Sequence, residues 1–120
     1  MNYKILTTNY FDAEAKRLKK RYRSFIDDLI NFQDSIKNNP YQGIELSPGI
    51  RKIRMSITSK GKGKSGGARI ITLTYCVSEN NGTIILLLIY DKADTNSIKT
   101  SVVKKIVKEV GIDLEKVKTL

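Results

Sequence analysis

The spacing of apolar and polar side chains divides the chain into a clear series of predicted elements. Residues 3–7 are short, apolar and β-branched, and read as a strand. Helical spacing then takes over. Phe11, Ala15, Leu18 and Tyr22 recur on one stripe, and Phe25, Ile26, Leu29, Ile30 and Ile36 extend it. Thr8 or Asn9 suits the cap of a first helix. Ser24 suits the cap of a second, with Asp27 reaching back to it, so two helices are expected rather than one. Asn38-Asn39-Pro40 ends the second, because the residue before proline avoids helical geometry. Residues 41–49 read as a loop anchored by Ile44 and Leu46.

Three segments then read as a β-meander. Residues 50–57 alternate, which puts Lys52 and Arg54 on one face and Ile53, Met55 and Ile57 on the other. Residues 68–77 are β-branched and aromatic. Asn80-Asn81-Gly82 is a hairpin-turn signal, since Asn and Gly tolerate positive φ. Residues 83–91 are continuously apolar, as expected of a central strand covered on both faces. A last helix begins at Ser97, carries Val102, Val103, Ile106, Val107 and Val110 on one stripe, and stops at Gly111. Residues 112–120 form a charged tail, expected to be mobile. The order β-α-α-β-β-β-α makes an α+β domain spanning residues 1–120. Its predicted form is a central antiparallel meander with the first strand on one edge, two N-terminal helices on one face and a C-terminal helix.

Charge narrows the function. Lys and Arg number 22 against 12 Asp and Glu, a net charge of +10. That surplus suits nucleic acid, an acidic partner or an anionic surface. No apolar run approaches the roughly 20 residues of a spanning helix, and the first residues lack the apolar core of a secretory signal. No membrane association is therefore expected. The single cysteine, Cys76, cannot form an internal disulfide and fits a reducing cytoplasm. Histidine is absent from the sequence. This removes the commonest general base and, with one cysteine, argues against a transition-metal site. Neither metal nor small-molecule cofactor is expected.

The positive charge concentrates where acids are missing. No Asp or Glu occurs between Leu46 and Ser78. Lys52 and Arg54 share a strand face, where like charges repel. The loop Lys60-Gly61-Lys62-Gly63-Lys64-Ser65-Gly66-Gly67 follows, with Arg69 at its far end. Antiparallel pairing of the flanking strands would bring Arg69 to Lys52 and Arg54, and Tyr90 and Lys92 end the next strand. Such a cluster is an anion site, and glycines that admit a backbone phosphate point to RNA. Arg51, Lys60, Lys62 and Lys64 are the expected RNA-backbone contacts. The loop itself is expected to hold no fixed shape, having little surface to bury. It is no Walker A loop, since Lys64-Ser65 precedes glycines and a strand instead of opening a helix. Lys16, Arg17, Lys19, Lys20, Arg21 and Arg23 read as a solvated helix face.

Several stretches together resemble a known family. Tyr3 to Leu6, the paired basic helices, Asn39-Pro40 with Gly43, the strand Arg51-Lys52-Ile53-Arg54, the run from Gly61 to Arg69, and Ile89-Tyr90-Asp91-Lys92 look like the RelE/HigB-type toxins of bacterial type II toxin–antitoxin modules. The resemblance spans roughly residues 2 to 110. It implies a small twisted antiparallel sheet with two helices on one face. It also implies an mRNA endoribonuclease (an mRNA interferase) that acts in the ribosomal A site, and a neutralising antitoxin, expected to carry a helix-turn-helix. By position, Lys52 matches the strand lysine often assigned as general base. Arg54 matches a second cation, a lysine in RelE itself. Arg69 matches the arginine that holds the scissile phosphate, and Lys92 a basic residue after the last meander strand. The chain departs at Ala93, where RelE has arginine. It also has no tyrosine after Tyr90, whereas RelE has one that stacks on a base; Tyr90 is the residue available to replace it.

The implied chemistry needs no metal. The RNA 2′-hydroxyl attacks its own phosphorus, leaving a 2′,3′-cyclic phosphate and a free 5′-hydroxyl. Neighbouring positive charge disfavours an ammonium, which is what a lysine base requires. Arginine forks onto the phosphate. Two other classes stay open: a ParE-like gyrase inhibitor of the same architecture that cuts no RNA, and a plain basic RNA-binding module.

Overall fold

The computed structural model describes residues 1–111; the expected mobile tail 112–120 lies outside the described residues. The chain runs β1 (Asn2–Thr7), α1 (Asn9–Arg21), α2 (Phe25–Asn38), β2 (Ile44–Ser47), β3 (Ile50–Met55), a 3-10 turn (Thr58–Lys60), β4 (Ala68–Ser78), β5 (Asn81–Asp91) and α3 (Thr100–Glu109). One five-stranded sheet has the order β1-β5-β4-β3-β2. The fold is α+β, with the meander β3-β4-β5 antiparallel and β1 on an edge as expected. Among the described residues no helix is long and apolar enough to cross a membrane.

Both faces of the sheet are covered. Phe11 and Leu18 of α1, with Phe25, Phe32 and Ile36 of α2, pack on Ile53, Met55, Ile70, Ile84, Leu86 and Ile89. On the other face Val103 and Val107 of α3 pack with Ile50, Ile71, Leu73, Ile85 and Leu87. Lys52 and Arg54 alternate with Ile53 and Met55, so they point away from α1 and α2. They lie toward the end of β3 beyond Ile50, the residue that joins the α3-side core.

Four sequence expectations need correction. Residues 44–47 are a strand, β2, which pairs Ile44 with Lys52 and Glu45 with Arg51. β1 runs parallel to β5, so the sheet is mixed and not wholly antiparallel. Asn81 and Gly82 lie inside β5; Ser78 pairs with Asn81, leaving Glu79 and Asn80 as a turn without positive φ. α3 starts at Thr100, three residues after Ser97.

Capping was partly as expected. Thr8 Oγ1 accepts from Phe11 N at 3.0 Å. Ser24 stands before α2, but its hydroxyl donates to Asp28 Oδ2 at 2.7 Å instead of capping the backbone, and Asp27 plays no part. Buried Asp28 also accepts from Thr58 N and Thr58 Oγ1, so the start of α2 is tied to the segment after β3.

Two features shape the end of the sheet that carries the cations. A register shift between Ile71 and Thr72 leaves Leu87 of β5 without a partner on β4. Strict alternation from Leu86, which faces α1 and α2, would put Tyr90 on the same face. The bulge changes the phase, so Tyr90 joins the α3 side. Glycines then let two loops close on β3. A Cβ on Gly43 (φ 75°) would lie 2.1 Å from Lys52 O, and one on Gly67 would lie 2.1 Å from Met55 O.

Candidate functional site

Register brings the key residues together. Arg54 of β3 pairs with Arg69 of β4, and Arg69 pairs with Tyr90 of β5, so the three form one row across the sheet. Lys52 lies two residues from Arg54 on the same face. Beside the row is an open cleft of about 420 Å³, to which Lys52, Arg54, Lys64, Arg69 and Lys92 contribute, with Gln42 and Asn96. No acid lines it. None of the five cations forms an ion pair with a described carboxylate.

Each of these side chains is held differently. Arg69 is only 7 % exposed. Its guanidinium donates to the carbonyls of Lys64 (3.1 Å), Ser65 (3.2 Å) and Ala68 (3.2 Å). Burial, and then the facing Arg54, lower its pKa. Two arginines opposite one another without an acid are mutually repulsive, and an anion between them would remove that cost. Lys92 is anchored by its own N–H on Gly67 O at 3.1 Å, while its Nζ donates to Asn96 O at 3.3 Å. Tyr90 is buried, and its hydroxyl has no partner among the described residues. Burial raises its pKa, opposed by Arg69. The buried ring offers no open face, so Tyr90 is not the base-stacking platform that the resemblance suggested.

The expected RNA contacts separate into different roles. Arg51 lies on the opposite face from Lys52 and Arg54, as alternation requires. Its guanidinium holds Gln42 O at 2.9 Å and Gly43 O at 3.3 Å, and it pairs loosely with Glu45. It braces the loop before β2. Lys60 turns inward: its side chain is 10 % exposed, and Nζ pairs with Asp91 Oδ1 and donates to Gly66 O at 2.9 Å. Lys62 lines a neighbouring hollow of about 400 Å³ with Tyr22, Gly66 and Lys92. Of the three loop lysines, Lys64 is the one that lines the cation cleft.

The loop is tied to the sheet at several points. It begins with the 3-10 turn, and the Lys60 ammonium bridges Gly66 to Asp91 across it. The residue that organises it, Asp91, was not singled out from the sequence. Asp91 is fully buried and accepts from Tyr22 OH (2.5 Å), Ala93 N (3.0 Å) and Lys60, with Arg21 at 3.2 Å. Burial pushes its carboxyl up, but the bonds from Lys60, Tyr22 and Ala93 outweigh burial and leave its pKa lowered. The available signal was an acid closing an otherwise apolar strand, a position where an unpaired charge would be costly. The basic run on α1 is also partly engaged, since Arg17 and Arg21 both pair with Asp94.

No protein-family model matches the chain.

Proposed function

We propose that this cleft binds and cleaves RNA, and that the protein is the toxin of a type II toxin–antitoxin module acting on mRNA in the ribosomal A site. The observation that carries the reading is the Arg54–Arg69–Tyr90 row beside Lys52 and Lys92 in an open cleft that no acid lines among the described residues. A phosphodiester bound there meets two guanidinium forks and three amines. Arg54 and Arg69 are suited to hold the nonbridging oxygens as charge grows on them. Lys52 and Lys92 are suited to the proton transfers. A proton leaves the 2′-hydroxyl as the 2′-oxygen bonds to phosphorus, and a proton reaches the 5′-oxygen as its bond to phosphorus breaks. One group must therefore take up a proton and another supply one. Losing one transition-state contact of this kind costs about a hundredfold or more in rate.

The expected partners are ribosome-bound mRNA and an antitoxin that masks the cleft with acidic or apolar side chains. Charge complementarity would speed that encounter, more so at low salt. The test is inducible expression followed by mapping of mRNA ends. New ends within coding regions are expected with wild type and not with Arg54→Ala. Growth arrest with intact messages would instead favour the gyrase-inhibitor class.

A further inference from the structure

Arg54, Lys64 and Gln42 have a second side. They line both the cation cleft and a smaller hollow of about 220 Å³ between the middle of α2 and the end of β3. The two depressions share these residues, yet their walls differ in kind. Buried Phe32 and Met55 contribute an apolar floor to the smaller one, and Asn31, Gln42 and Ser56 add amides and a hydroxyl. Its one acid, Asp28, is already bonded to Thr58 N, Thr58 Oγ1 and Ser24 Oγ. A carboxylate repels phosphate, while an apolar floor with polar edges suits an uncharged planar ring. Building on the RNA reading above, we infer that this hollow holds a nucleobase beside the phosphate gripped at its rim by Arg54 and Lys64.

The polar edge has a direction. Gln42 Nε2 faces Ser35 O (3.2 Å), Ser35 Oγ (2.8 Å) and Asn39 O (2.9 Å). Turning the amide over would set its oxygen against carbonyl acceptors, so Oε1 is fixed as an outward acceptor. It has no donor among the described residues. The Asn31 amide likewise forms no hydrogen bond among them, and it can present either end to a base. A fixed acceptor favours a base with an exocyclic amine. Cytosine offers one where uracil offers a carbonyl.

The test is NMR titration of the full chain with cytidine 5′-monophosphate, uridine 5′-monophosphate and ribose 5-phosphate. The cytidine nucleotide should bind about tenfold tighter than ribose 5-phosphate, the size expected for one neutral hydrogen bond with added ring contact, and tighter than the uridine nucleotide. Asn31 is exposed on α2, and alanine is the better helix former, so Asn31→Ala should fold normally. In that variant the advantage over ribose 5-phosphate should shrink by about threefold, the size of one weak hydrogen bond, while the cytidine-over-uridine preference set by Gln42 Oε1 remains. Arg54→Ala should weaken all three ligands together. Equal binding of the cytidine nucleotide and ribose 5-phosphate by wild type would overturn the base site, as would an undiminished advantage in Asn31→Ala. None of these measurements reads cleavage. A protein that discriminates in this way but cuts no RNA would overturn the endonuclease reading and leave the base site standing.

Discussion

Replacing Lys60 with methionine separates two accounts of the glycine-lysine loop. If Lys60 contacts RNA, Lys60→Met weakens RNA binding, flattens its salt dependence and spares the fold. The structure predicts the reverse. The Lys60 side chain is 10 % exposed and its partner Asp91 is fully buried. Methionine keeps the apolar stem but strands a buried carboxylate. Breaking a buried ion pair in this way costs about 3–5 kcal/mol. Asp91 retains Tyr22, Ala93 and Arg21, which reduces the expected loss to about 2–3 kcal/mol. For a domain of this size that corresponds to a fall in melting temperature of roughly 10 °C.

The loss should also depend on pH. The Asp91 pKa is lowered in the folded protein. Its contribution is therefore present above the unfolded carboxylate range and fades as pH falls through the folded value. Removing Lys60 takes away the largest of the influences that lower it, so the acid unfolding limb of the variant should move to higher pH. Urea melts between pH 3 and 7, about the carboxylate range, read both effects, and RNA binding at several salt concentrations reads the alternative. Unchanged stability with a reduced salt slope would refute the buried-pair account and return Lys60 to the RNA surface.

Other outcomes follow from the same geometry. Arg69→Ala should abolish cleavage and also lower stability by about 1–3 kcal/mol, because the carbonyls of Lys64, Ser65 and Ala68 lose a buried donor; a variant as stable as wild type in urea would contradict this. Lys64→Ala should leave the melt unchanged and reduce the salt slope of RNA binding by about 0.7–0.9 for its single phosphate contact. An unchanged slope would remove Lys64 from the interface. Tyr90→Phe deletes a buried hydroxyl that has no partner among the described residues, so it should raise stability by about 1 kcal/mol; a less stable variant would mean that the hydroxyl has a partner in solution.

The fold was legible where side chains carry a period. Phe11 and Leu18 marked the buried stripe of α1, and the alternation of Ile53 and Met55 with Lys52 and Arg54 fixed the faces of β3. β2 was not legible, because it has only four residues, is exposed at Ile44 and Glu45, and runs straight into Pro48-Gly49. The bulge at Leu87 was hidden for a different reason. A uniformly apolar run has no phase, so nothing in residues 83–91 marks where alternation slips or which face Tyr90 joins. That Lys52, Arg54, Arg69 and Lys92 converge on one cleft was legible in the sequence because acids are missing around the first three and pairing register does the rest. Lys60, Lys62 and Lys64 could not be told apart in a glycine-lysine repeat. Which one turns inward is decided by Asp91, 31 residues from Lys60. Arg51 stands on the other face by one step of alternation, since its neighbour Lys52 faces the cleft and it instead holds Gln42 O and Gly43 O.

Single-turnover cleavage of an mRNA held in a programmed ribosomal A site tests the central claim most directly. Wild-type protein should cut the message, leave a 2′,3′-cyclic phosphate and a 5′-hydroxyl, and keep its rate when catalytic metal is sequestered at constant ribosome integrity. Lys52→Ala should lose about a hundredfold or more in rate. Full cleavage by Lys52→Ala, or a wild-type protein that binds the complex and leaves every message whole, would contradict the account.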